Sequence, residues 1–168
     1  WVQVNQPLQW GGLAGVIQDN GDYERGWILG FSGSFFSFAV CGKEGPGRLT
    51  YLKAKSAFKP HTWYYVAGTY DGKEMRVYVN GKLESASPAQ KGDINYPPQA
   101  FFELAAYHDK DEYFRAVGLL REVRIYNTAL SEAEIQNHFK EGVKLLPAGQ
   151  QPLELALGPV HEFETHNS

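Results

Sequence analysis

The 168-residue chain is 43% hydrophobic and 14% aromatic, which suits one domain with a substantial core. Its formal net charge of −3 offers no basic face for phosphates, so nucleic acid is not an expected partner. No apolar run approaches the length of about 18 residues that a membrane helix needs, so membrane insertion is not expected either.

The first 60 residues predict short strands separated by turns. Residues 1–4 have the pattern of a strand already under way, and a loop with Trp10 follows. Further strands are predicted at 13–18, 26–31, 34–40 and 49–52, the second and third forming a hairpin, and a basic loop covers 53–60. Eighteen glycines and nine prolines between such short runs favour an all-β sandwich.

The strongest local signal is a central hairpin. Runs rich in β-branched and aromatic residues, 63–70 and 75–79, flank an Asp-Gly turn, and an Asn-Gly turn follows. These dipeptides supply the positive φ angles of tight hairpin turns. Met75, Val77 and Val79 alternate with more polar positions, which predicts a strand buried on one face.

The rest of the chain predicts three more strands and one helix. The strands are expected at 82–84, 100–106 and 117–127, and a charged segment, 107–113, separates the last two. A capping box of Ser131 and Glu134 predicts the start of the helix, and Gly142 its end. Residues 148–168 are predicted to be a linker and tail. The alternation within 153–164 suggests that the tail adds a strand to the sandwich.

Two sequence blocks carry a family resemblance. WYYVAGTYDGKEMRVYVNGK, residues 63–82, and GLLREVRIYNTALSEAEI, residues 118–135, resemble laminin-G-like, concanavalin-A-like lectin-glucanase modules. The resemblance implies a two-sheet antiparallel jelly roll over residues 1–147 with one short C-terminal helix and with its N-terminal strand apparently missing. It also implies a secreted, periplasmic or cell-envelope location, but this superfold hosts lectins, spacer domains and glycoside hydrolases alike.

No catalytic residues are predicted. Retaining glycosidases place two carboxylates about 5–5.5 Å apart, which one strand achieves with alternating acids. Glu103 and Glu122 each stand alone in their predicted strands. The single cysteine, Cys41, lies in an apolar run with no base in view, so an inert thiol is expected.

Calcium is an open alternative at the charged segment. Asp109 and Asp111 concentrate oxygen ligands of the kind that Ca²⁺ prefers, and the polar turn from Asp19 to Asp22 concentrates them in a second loop. Against calcium, the family pattern usually has Asp where this chain has Arg121. A solvated acidic loop is the other interpretation.

A sugar-binding surface calls for aromatic platforms beside polar groups. Loop aromatics that fit are Trp10, Tyr23, Tyr96, Tyr107 and Tyr113, and His108 lies between the last two, where the site is expected. The sequence therefore favours a non-catalytic module of a larger protein that binds glycan through rim loops. The alternatives are a protein-interaction or spacer domain, whose open edge pairs with a neighbouring domain or protein, and, third, a glycoside hydrolase.

Overall fold

The computed structural model describes residues 1–151, which form an antiparallel β-sandwich with one helix among them. The predicted tail strand within 153–164 lies outside the described residues. The strands are Val2–Val4 (β1), Gly11–Asn20 (β2), Tyr23–Ser32 (β3), Phe35–Val40 (β4), Thr50–Ala57 (β5), Trp63–Tyr64 (β6), Val66–Tyr70 (β7), Met75–Val79 (β8), Lys82–Ser87 (β9), Glu103–Leu104 (β10), Ala106–His108 (β11), Tyr113–Arg115 (β12) and Gly118–Leu120 (β13), and the helix is Glu132–Val143 (α1).

The strands form two layers, which confirms the predicted all-β jelly-roll sandwich. One layer is a five-stranded sheet in the order β10-β2-β3-β4-β5. The other contains the three-stranded groups β7-β8-β9 and β13-β1-β6. The main core between the layers is apolar and includes Phe31, Phe36, Met75 and Val77, none more than 1% exposed. No helix within residues 1–151 has the length and apolar character needed to span a bilayer.

The central hairpin forms as predicted. β7 pairs with β8 from Val66↔Val79 to Tyr70↔Met75, and Gly72 in the turn has a φ of 82°. The expected one-sided burial of β8 was wrong at one position, because Tyr78 is also buried. The predicted strand over 63–70 is divided at Tyr65, whose backbone N–H donates to Asn80 Oδ1 instead of continuing a ladder.

Three segments differ from their predictions. β5 continues through residue 57, so the expected basic loop over 53–60 is mostly strand. Only residues 103–104 of the predicted strand over 100–106 pair with β2. Residues 100–102 belong to no strand, and Ala105 takes a φ of 57° and turns the chain out of the sheet after residue 104. Only residues 118–120 of the predicted strand over 117–127 are paired with a neighbour.

The predicted helix start is confirmed. The Ser131 side chain accepts from the backbone of Glu134, whose carboxylate accepts from the Ser131 backbone in return. The predicted end was wrong, since the helix includes Gly142 and runs through Val143. A Cβ on Gly142 would lie 2.1 Å from the Trp1 indole nitrogen, so this glycine permits close packing of the helix on Trp1.

Candidate functional site

The outer face of the five-stranded sheet carries a second, smaller core. Register places Ile28, Ala39 and Tyr51 side by side across β3, β4 and β5. The antiparallel pair β11–β12 covers this face with Tyr107 and Phe114. We call this pair, Ala106–Arg115, the rim hairpin.

Backbone geometry places the rim hairpin on the sheet. After Ala105 turns the chain, the Ala106 carbonyl lies where a Cβ on Gly12 would be, only 1.9 Å from it. A side chain at position 12 would therefore prevent this contact. The Tyr107 hydroxyl bonds to Asp19 near the far end of β2, so β11 runs along the face of that strand.

A partly buried hydrogen-bond network anchors the rim hairpin. Asp19 Oδ2 accepts from the hydroxyls of Tyr51 at 2.6 Å and Tyr107 at 2.8 Å. Burial, followed by the hydrogen bond to Asp19, raises the pKa of Tyr51 far above its usual range. Burial also raises the pKa of Tyr107 strongly. Both phenols are therefore neutral donors that hold a carboxylate, and neither serves as a proton acceptor.

The turn of the rim hairpin is acidic and tied to the tip of β2–β3. Asp109 Oδ1 accepts from the backbone N–H of Asp111 at 3.1 Å and of Glu112 at 2.8 Å, which fixes the turn. The Asn20 side-chain amide donates to Asp111. Burial and the charges of neighbouring carboxylates raise the pKa of Glu112.

An exposed aromatic and polar surface lies beside that turn. The Tyr113 ring is 56% exposed, 4.6 Å from the His108 ring between centroids, and the Arg115 guanidinium lies 5.6 Å from its centroid. Glu103 bonds to His108 Nδ1 and holds the imidazole in place. Tyr23, at the β2–β3 tip joined by the Asn20–Asp111 bond, is 40% exposed with Arg25 beside it.

The structure places the predicted ligand residues in three different environments. Tyr23, His108 and Tyr113 lie around the rim turn that Asp109 and Asp111 form. Trp10 packs on Tyr51, with ring centroids 5.7 Å apart, on the outer face of the sheet. Tyr107 is buried, so its ring offers no face to a ligand and its contacts make it an anchor of the rim hairpin.

Sequence reasoning missed several residues that shape this surface. Tyr51 gave no signal, because a tyrosine in a short strand is ordinary. Asp19 stood out only as one of several acidic residues in a turn. Arg115 was not singled out, although its spacing of two from Tyr113 on one strand places both side chains on the same face.

The described residues provide an incomplete calcium ligand set. Among residues 1–151, no group of three or more His, Cys, Asp or Glu side chains has a metal-binding arrangement. Asp109 Oδ2 is the one rim oxygen that is buried without a hydrogen-bond partner. Cys41, in the second core, is fully buried and burial raises the pKa of its thiol, as an inert cysteine requires.

The family follows from the sandwich and from sequence. Residues 1–136 match a laminin G family of the concanavalin A-like lectin/glucanases superfamily, and the chain belongs to that family. The chain is similar to Pappalysin-1 of Homo sapiens, with 32% identity over 127 residues. This alignment covers 66% of the chain and 8% of the human protein, so the chain spans a small part of that relative.

Two solved structures share the fold. One is a candidate carbohydrate binding protein from Bacteroides ovatus, with a TM-score of 0.60 and 20% identity, over 80% of this chain and 38% of that one. The other is the CBM40 of the Ruminococcus gnavus IT-sialidase, bound to α2,3-sialyllactose. Its TM-score is 0.65 at 14% identity, over 81% and 77% of the two chains. At these identities the likeness concerns the fold alone.

Proposed function

We propose that this chain is a non-catalytic module of a larger secreted or cell-envelope protein and that it binds carbohydrate at the rim hairpin. The single observation that carries the proposal is the exposed Tyr113 ring, flanked by His108 and Arg115 and adjoining the acidic turn. The two structural neighbours support the same proposal, because both are named for carbohydrate binding.

The chemistry of the surface suits a sugar. One face of a sugar ring is lined by C–H groups that pack on an aromatic ring, and its hydroxyls both donate and accept. Tyr113 supplies the ring, Arg115 donates, and Asp111 accepts. The Glu103–His108 hydrogen bond holds the imidazole in one orientation before a ligand binds. Less side-chain entropy is therefore lost on binding.

The test is a calorimetric titration against a panel of oligosaccharides that includes α2,3-sialyllactose. Tyr113→Ala is expected to weaken the best ligand about tenfold, roughly 1.4 kcal/mol. Tyr96→Ala is the matched control, because Tyr96 is also an exposed tyrosine, 54% accessible, but lies away from the rim hairpin. Equal losses in both variants, or no binding by the parent chain, would contradict the proposal.

We further propose calcium as a cofactor of the rim turn, on the strength of the orphaned Asp109 Oδ2. Backbone carbonyls and water would complete the oxygen set that Ca²⁺ prefers. Titration of Ca²⁺ into chelator-treated protein is expected to raise Tm in the parent and not in Asp111→Asn. A Tm that is indifferent to Ca²⁺ would exclude the cofactor and leave the glycan proposal intact.

Hydrolysis is not expected from this surface. Glu103 is engaged by His108 at the rim hairpin, whereas Glu122 bonds to Arg124 beside a different groove. The two therefore cannot flank one glycosidic bond. Release of reducing ends from any panel member by the parent chain, and its loss in Glu103→Gln, would overturn this part of the proposal.

One observation favours a second function, a protein-interaction or spacer domain. An apolar groove, called the edge groove, opens between β7 and residues 122–127, on the side of the sandwich opposite the rim hairpin's sheet face. A chain that binds no panel glycan but recruits protein at this groove would fit the second function.

A further inference from the structure

The chain contains two Asn-Gly pairs, and they lie in different surroundings. One is Asn20-Gly21, in the turn between β2 and β3, and the other is Asn80-Gly81, between β8 and β9. Asn-Gly is a reactive dipeptide, because a glycine nitrogen that follows asparagine has no neighbouring Cβ to shield it from the asparagine side chain. The surroundings of each pair therefore decide whether the nitrogen and the side chain can meet.

Asn20-Gly21 lies at an open tip. A Cβ on Gly21 would have no heavy atom within 4 Å, and Gly21 and Asp22 are both exposed. These two residues form the whole turn, since Asn20 is directly opposite Tyr23. Asn20 is half-buried, and its side-chain amide donates to Asp111 of the rim hairpin. Solvent therefore reaches the Gly21 nitrogen, and an exposed hydrogen bond is what restrains the Asn20 side chain.

Asn80-Gly81 lies in a closed turn. The Tyr65 backbone N–H donates to Asn80 Oδ1 at 3.0 Å, and the Asn80 N–H donates to the Tyr65 carbonyl at 2.8 Å. Gly81 is buried, and a Cβ at this position would lie 3.1 Å from the Phe139 ring of α1. A reaction that moves the Asn80 side chain toward Gly81 must first open these contacts, and local opening of packed structure costs free energy.

We propose that Asn20 is a site of spontaneous deamidation and that this modification weakens the attachment of the rim hairpin to the β2–β3 tip. The Gly21 backbone nitrogen gives its proton to solvent and forms a bond to Asn20 Cγ. The side-chain nitrogen takes up a proton and leaves as ammonia, which closes a succinimide ring. Water then adds to one of the ring carbonyl carbons and opens the ring to aspartate or isoaspartate. One water is consumed and one ammonia is released, with no oxidation or reduction.

The product changes the contact with the rim hairpin in two ways. Deamidation replaces an amide that donates to Asp111 with a carboxylate, so an attractive contact becomes a contact between like charges. Isoaspartate also adds a main-chain carbon to a tight turn, whose length fixes the register of Asn20 opposite Tyr23. Asp19 precedes the modified residue and accepts from the Tyr107 hydroxyl, so a shift of the tip reaches the anchor of the rim hairpin.

The first test compares the two Asn-Gly pairs within one molecule. The full chain is incubated without ligand at mildly alkaline pH, and peptide mapping by mass spectrometry follows aspartate and isoaspartate at both positions. Asn20 is expected to react at least about tenfold faster than Asn80, because reaction at Asn80 requires a local opening whose cost adds to the barrier. In urea the two rates should become similar, because the reacting dipeptide is the same.

The second test measures the consequence of the modification. Asn20→Asp carries the charge of the product, and Asn20→Ala is the matched control, which loses the bond to Asp111 without gaining charge. In chelator, Asn20→Asp is expected to lower Tm by about 2–4 °C relative to the parent, and Asn20→Ala by less. Amide exchange of the rim hairpin should be faster in Asn20→Asp. The difference between the two variants should disappear in high salt.

Any of three results would overturn the proposal. Equal rates at Asn20 and Asn80 in the folded chain would mean that the fold does not select the site. An unmodified Asn20 in the folded chain, with reaction at both positions in urea, would mean that the tip is protected. Tm and amide exchange in Asn20→Asp equal to those of the parent would mean that the rim hairpin stays attached. Both tests are made without glycan, so their outcomes do not depend on the proposed function of the rim hairpin.

Discussion

The rim hairpin and the edge groove lie on opposite faces of the same five-stranded sheet, and they differ in which chemical groups each leaves exposed. At the rim, the half-buried Asp19 carboxylate and the buried Tyr107 hydroxyl bond to one another, and the Tyr113 ring is left exposed. At the edge groove, exposed apolar side chains lie beside an edge of β7 that pairs with no other strand among residues 1–151. The first combination suits a small polar ligand with an apolar face, and the second suits polypeptide, since only another strand satisfies a row of backbone groups.

The largest expected effect tests whether the rim hairpin is a rigid part of the sandwich. Asp19→Ala removes the acceptor of two phenolic hydroxyls that lie 3.2 Å apart and can then bond only to each other, which should lower the free energy of unfolding by about 2 kcal/mol. Urea unfolding measures it. Asp22→Ala, at an exposed position three residues away, should change stability little. If the two variants unfold alike, the network does not anchor the hairpin.

The next effect addresses the outer border of the edge groove. Ser131→Ala removes the N-cap of α1 and should cost about 1 kcal/mol in urea unfolding. Binding of a hydrophobic dye should increase, because α1 residues border the groove. Asn137→Ala, at an exposed position within the helix, should not destabilise, because alanine is the better helix former.

The cap also has a predicted pH dependence. Hydrogen bonds from the Ser131 backbone and hydroxyl lower the pKa of Glu134 in the folded protein. Their stabilisation is present above the unfolded pKa and is lost as the pH falls through the lower folded pKa. The stability gap between the parent and Ser131→Ala should therefore narrow at acid pH. A gap that widens in acid would contradict this assignment.

A smaller effect separates the two regions directly. Ile125→Ser changes a side chain that is 57% exposed, so stability should shift by no more than about 0.5 kcal/mol. Dye binding should fall and glycan binding should stay unchanged. Tyr113→Ala should leave dye binding unchanged and lower glycan binding. If either variant lowers both signals, the two regions are coupled and the comparison fails.

The smallest expected effect concerns charge repulsion in the rim turn. Burial and the charges of Asp109 and Asp111 raise the folded pKa of Glu112, so its ionised form opposes folding above that pKa and ceases to do so below the unfolded pKa. Glu112→Gln should raise stability at pH 7 by less than about 0.5 kcal/mol, because the group is exposed. The gain should shrink in high salt and below pH 4. A loss of stability at pH 7 would contradict it.

Local signals predicted most of the fold. The turn dipeptides around β8 and the capping box at Ser131 act within a few residues, so they were visible in sequence. The Ala105 turn was not, because a positive φ at alanine is imposed by packing of the chain over Gly12. The strand predicted over 117–127 ends after residue 120 for a comparable reason, since a strand needs a neighbour, the backbone bonds to Trp1 reach only Glu122, and no described strand pairs with residues 123–127.

The candidate site was less predictable than the fold. The sequence of the charged segment predicted that His108, Tyr113 and the acidic residues lie around one turn. Ligand binding at that turn stays a prediction. Composition could not distinguish Tyr107 from Tyr113, because burial depends on which way β11 faces β2. The roles of Asp19 and Tyr51 depend on partners 88 and 56 residues away in sequence, and no local pattern encodes such contacts.

The contact between Ala106 and Gly12 has a consequence for how this module can diversify. Besides the inward-facing side chains of Asp19, Tyr51 and Tyr107, the rim hairpin is held by backbone, through that contact and through the bonds Ala105 N–H to Leu13 O and Ala116 N–H to Ala105 O. The side chains of His108, Tyr113 and Arg115 take no part in those bonds. Position 12 is therefore closed to substitution, whereas the outward positions can be exchanged without moving the frame. Substitution of these three side chains, in evolution or by engineering, is therefore expected to change ligand preference while the fold stays constant.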